Sequence, residues 1–76
     1  MVIRYFYKAG WDRIIRATYR LIEDEENKKV SEQIWLDGKW QPTDNLIKQI
    51  IGGEFDLHEV TKEDVRKYSP QVLMSD

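Results

Sequence analysis

The sequence predicts an α+β fold: an antiparallel three- to four-stranded β-meander followed by two short helices. Three observations carry this expectation. Residues 13–22 alternate between apolar and polar with a period of two. Asp37-Gly38 divides two tryptophan-bearing runs in the manner of a two-residue hairpin turn. Only beyond Pro42 does the apolar spacing become helical, and it does so twice.

Residues 2–8, Val-Ile-Arg-Tyr-Phe-Tyr-Lys, are β-branched and aromatic enough for a first strand. In the second, Ile15, Ala17, Tyr19 and Leu21 face one way while Arg16, Thr18 and Arg20 face the other. The two strands fit side by side if Ile3, Tyr5 and Tyr7 join that apolar face, which calls for an odd-numbered loop and a bulge near Gly10. A two-residue Ala9-Gly10 turn would instead set Arg4 opposite Ile15. Residues 23–29 form a polar connection to a third strand over 30–36. A type I′ turn at Asp37-Gly38 needs positive φ at both residues and fixes the register: Leu36 pairs with Lys39, and Trp35 lies directly opposite Trp40. Pro42 ends the short fourth strand because it has no N–H to donate to the ladder.

Thr43 or Asp44 caps a helix running to about Ile51, with Leu46, Ile47, Ile50 and Ile51 as its apolar face and Gly52-Gly53 as its stop. Phe55, Leu57 and Val60 suggest a short extended segment. Thr61 opens the second helix, with Glu63 and Asp64 in the first turn, Asp64 at the capping-box position, and Val65 and Tyr68 on the buried side. Ser69-Pro70 ends it. Residues 1–70 thus make one domain, with 71–76 as a C-terminal tail.

At 76 residues the chain has room for a single domain. A domain of this size buries only roughly 63% of its unfolded surface, so the hydrophobic gain barely exceeds the cost of ordering. That favours a partner or a self-association surface. Cysteine is absent, which excludes a disulfide framework, a cysteine nucleophile and a thiolate zinc site. Met1-Val2-Ile3-Arg4-Tyr5 carries no apolar core of a secretory signal, so a cytoplasmic location is expected. The net charge of −2 is unevenly spread: residues 1–20 hold five cations against Asp12, leaving −6 for the remainder. An acidic run, Glu23-Asp24-Glu25-Glu26, follows directly; it reads as a solvated loop, or as a site for another copy's basic face.

Catalytic groupings are sparse. His58 is the single histidine, and although Asp56 shares its face in an extended segment, no second histidine at helical spacing supports a metal site. Ser31, Ser69 and Ser75 lie in no nucleophile-elbow context. We therefore expect no enzyme, no cofactor and no metal.

The aromatic and basic residues are more informative. If Ile15, Ala17, Tyr19 and Leu21 look to the core, the reverse face of the first two strands shows Arg4, Phe6, Lys8, Arg16 and Arg20. Val30, Ile34 and Leu36 share one side of the third strand, so Trp35 and Trp40 fall on the other, beside the arginines. The expected interaction face is Trp35, Trp40, Phe6, Arg4, Arg16 and Arg20, since tryptophan, tyrosine and arginine anchor protein interfaces. The function that follows is a small non-enzymatic interaction or regulatory module, an adaptor, inhibitor or accessory subunit, with another protein or a second copy (a homodimer) as partner. Rings among cations on a sheet also suit stacked single-stranded nucleic acid, which the acidic total disfavours. The competing expectation is internal: arginine stems lie across the indoles, and the second helix or the tail, with Val72, Leu73 and Met74, folds over them.

Overall fold

The structure, a computed structural model, describes residues 1–74. Its sheet is built from β1 (Val2–Ala9), β2 (Ile15–Asp24), β3 (Lys29–Leu36), β4 (Lys39–Pro42) and β5 (Leu57–Val60). The helices are α1 (Leu46–Gly52), α2 (Lys62–Tyr68) and α3 (Gln71–Met74). The strand order is β4-β3-β2-β1-β5, antiparallel at every pair, so the first four strands form the expected meander. The 55–60 segment adds a fifth strand: β5 returns to the free edge of β1, with Tyr5 opposite Val60 and Tyr7 opposite His58.

The β3–β4 turn takes the conformation its residues demand. Asp37 and Gly38 both have positive φ, at 53° and 77°, and Trp35 lies opposite Trp40. At the other hairpin the loop is odd, spanning residues 10–14, and a bulge falls between Lys8 and Ala9. The bulge nevertheless corrects the expected faces. Lys8 pairs with Ala17 but Ala9 pairs with Ile15, so Arg16 is the extra residue and the side-chain parity inverts there. Phe6, not Tyr5 or Tyr7, therefore lies beside Tyr19, and Arg4 lies opposite Leu21. Ile15 falls on the side of Tyr7, apart from Ala17, Tyr19 and Leu21.

The sheet tolerates this because both of its faces are covered. On one, Phe6, Tyr19, Leu21 and Leu46 form a core that Ile34, Ile47, Ile50 and Leu57 extend. On the other, Tyr5 and Tyr7 pack with Val65 and Val72, flanked by Trp35, Trp40, Val60 and Leu73. Tyr5, Phe6 and Tyr7 are consequently all buried, as a strand sandwiched on both sides requires. Of Val30, Ile34 and Leu36, which share one side of β3, only Ile34 joins the core, and Val30 and Leu36 are exposed.

Helix ends depart from expectation in one instance. Neither Thr43 nor Asp44 caps α1; its N-cap is Asn45, which makes no side-chain capping bond. Glu32 on β3 does so instead, its Oε1 accepting from the Ile47 N–H at 2.8 Å. Gly53 closes α1 at φ 66°, the left-handed position that favours glycine. Ile51 turns away from the sheet and is 80% exposed, because seven residues give α1 a narrow buried stripe. For α2 the Thr61–Asp64 capping box forms in both directions. We expect Thr61→Ala to lower the unfolding free energy by about 1 kcal/mol, measured by urea denaturation at neutral pH. Tyr68, expected inward, is exposed. The 71–76 tail contributes α3, whose Val72 is buried; Ser75 and Asp76 lie outside the described residues.

Candidate functional site

The two tryptophans of the β3–β4 hairpin meet as the register requires, edge to face with centroids 5.3 Å apart. They lie on the side of the sheet opposite α1. That side is not open. The Trp40 Nε1–H donates to the Val72 carbonyl at 3.2 Å, and Tyr5 lies 6.5 Å from the Trp40 ring. Arg20 stacks its guanidinium 4.4 Å from the same ring and donates from Nε to Gln33 Oε1 at 2.6 Å. Trp35, Trp40 and Arg20 thus form one cluster, and its contacts are those of the internal alternative, with the C-terminal segment folded over the indoles.

The other three residues of the expected face are elsewhere. The inverted parity puts Arg4 and Phe6 on the α1 side. Phe6 is 3% exposed and offers no ring to a ligand. Arg4 lies 5.4 Å from the Phe6 ring and donates Nε and Nη2 to the two carboxylate oxygens of Glu59 on β5, at 3.0 and 2.8 Å. Those bonds hold the Glu59 carboxyl below the usual carboxylate range.

Arg16, the bulged residue, is engaged by the β1–β2 loop. It donates to Asp12 Oδ1 at 3.0 Å and Oδ2 at 2.5 Å. Arg16 first, and then the Ile14 N–H, lower the Asp12 carboxyl to about 2. A carboxyl whose folded pKa is depressed contributes its full share above its unfolded value, near 3.9, and loses it as pH falls through the folded value. An NMR titration should therefore place the Asp12 midpoint near 2, with the 10–14 loop shifts moving alongside. A midpoint near the unfolded value would show the loop untied.

What the loop does not engage is Trp11. It is 92% exposed and its ring meets that of Phe55, itself 72% exposed, with centroids 6.2 Å apart. These rings line the smaller of two adjoining concavities that share Ala9, Gly10 and His58. The larger of the two, about 470 Å³, is walled by β1, the start of β2, β5 and α2. Tyr7, Ile15, Val60 and Tyr68 line it, with Arg13 and Asp64. Ile14 is exposed on the same loop, and Tyr68 is 61% exposed. Neither the α1 core nor the α2 core includes Trp11 or Phe55.

Periodicity did not single out Trp11, because it lies in a connection rather than in an alternating run. The available signal was its setting: an indole between Gly10 and Asp12, outside both strands, has no face of the sheet to join. His58 is exposed on β5, where its side chain borders both concavities. Among the described residues no cluster of three or more His, Cys, Asp or Glu side chains could hold a metal ion, and no helix is long and apolar enough to cross a membrane. No family model, curated protein or solved structure matches the chain.

Proposed function

We propose that the protein is a small non-enzymatic interaction module that docks on a protein partner through the Trp11–Phe55 end of its sheet. The observation supporting this is the exposure of two neighbouring aromatic rings that no core of the fold uses. Aromatic side chains bury about 150–250 Å² each when covered, and exposed apolar patches beyond roughly 300–600 Å² mark interaction sites on soluble domains. Trp11, Phe55, Ile14 and Tyr68 together reach that size. Tryptophan and tyrosine are also the side chains that most often carry binding energy at interface centres. The cytoplasm is part of the proposal, since a chain without cysteine needs no oxidising compartment.

The test is a photo-cross-linking amino acid placed at Ile14 and, as a control, at Lys48 on the exposed side of α1. Discrete adducts are expected from position 14 alone, and Trp11→Ala should abolish them. In the dilute, unassociated chain the same substitution should change the unfolding free energy by less than about 0.5 kcal/mol, because Trp11 lies outside both cores. No adducts at position 14, or equal adducts at both positions, would defeat the reading. Salt-steep binding of oligonucleotides would replace it with a nucleic-acid function.

A further inference from the structure

We infer that the partner at the Trp11 end is a second copy of this chain, docked across a two-fold axis so that Trp11 of each copy enters the groove of the other. The inference rests on the interaction reading above and deepens it.

The relief of the surface is self-complementary. A ridge, Trp11 with Phe55, adjoins a groove of about 470 Å³ with apolar walls from Tyr7, Ile15, Val60 and Tyr68. An interface formed by a two-fold axis uses the same patch twice, so a patch holding both a projection and a recess fits its own copy. Pairing of this kind closes at two copies.

The charges in the groove are likewise matched to each other. Among the described residues the Arg13 side chain has no hydrogen bond or ion pair of its own, unlike Arg16, which Asp12 holds. Asp64 uses only Oδ2 for the capping box, taking both the Thr61 N–H and the Thr61 hydroxyl there, which leaves Oδ1 unengaged. Among the described residues, one groove thus carries a cation and a carboxylate oxygen with no hydrogen-bond partner, although Lys67 of α2 adds its charge to the field at Asp64. A two-fold copy brings each toward its opposite, and the loop's remaining charges already cancel in the Asp12–Arg16 pair.

The area is of the required order. With full aromatic side-chain areas of about 150–250 Å², the exposed parts of Trp11, Phe55, Tyr68, Ile14 and Ile15 sum to roughly 700 Å². A stable interface takes about 800 Å² from each partner. A small domain whose largest fully buried side chains among the described residues are Leu46, Val65 and Val72 gains from such a cover.

Sedimentation equilibrium of the full chain from 1 to about 500 µM tests this. A dimer is expected, with Trp11→Ala and Arg13→Asp each weakening it at least tenfold while far-UV circular dichroism stays unchanged. A monomer across that range overturns the inference, and so does a dimer that neither substitution weakens. The two readings fail separately. A monomeric chain that still yields position-14 adducts with other proteins removes the second copy but keeps the docking surface; a monomer without adducts removes both.

Discussion

Trp40→Ala is expected to lower the unfolding free energy by about 3 kcal/mol, the lower end of the range for removing a large aromatic from a packed site. The indole is only part-buried, which sets the lower end. Yet it joins the hairpin to the C-terminal segment through several kinds of contact at once. Its N–H holds the Val72 carbonyl, its ring takes the edge contact with Trp35, and Arg20 stacks on it. For a domain of this length the loss corresponds to a fall in Tm of roughly 12–24 °C. Trp40→Phe separates the parts: the ring remains, the bond to Val72 is lost, and the cost should be about 1 kcal/mol. Urea denaturation checks both. A Trp40→Ala loss below about 1 kcal/mol would mean that Val72 and Leu73 hold α3 without the indole.

The second large effect belongs to the other face. Leu46 is fully buried, the one such residue of α1, and packs with Phe6, Tyr19 and Leu21. Leu46→Ala should cost about 3 kcal/mol, from lost transfer energy and from a cavity the sheet cannot close. Total stability for a chain of this length is on the order of 4–11 kcal/mol, so the variant should be close to its limit at 37 °C. Ile51→Ala is the internal comparison: the same helix, but a side chain exposed to solvent, and an expected change within about 0.5 kcal/mol. Equal losses at the two positions would contradict the orientation of α1. The Trp40 and Leu46 substitutions lie on opposite sides of the sheet and share no neighbours in either core, so their effects should add.

Which features were legible in the sequence follows from the range of the forces that set them. The Asp37-Gly38 turn, the Thr61–Asp64 box and the Gly53 stop depend on adjacent residues, and their chemistry is readable there. The bulge near Gly10 was readable as well. Its consequence was not: a single inserted residue, Arg16, inverted the relation between two strands that each alternated correctly. The run Tyr5-Phe6-Tyr7 held the corrective signal, since three consecutive rings fit a strand covered on both faces better than one with a wet side. The cap of α1 was out of reach because Glu32 lies a strand and a turn away from Ile47. The expected interaction face divided for the same reason as the strands, Arg4 and Phe6 going with the inverted parity and Arg16 with the bulge. The Trp35–Trp40 contact was predicted; its cover depended on where the last residues of the chain dock, and only tertiary packing decides that.

The Glu32 bond also orders events in time. A seven-residue helix does not persist by itself in water, and this one lacks a side-chain cap from its own N-cap residue. Its first turn is completed by an acceptor that is in place only once β3 has joined the sheet. The α1 segment should therefore be late to gain amide protection during refolding, after the meander has zipped, and early to lose it when the protein breathes.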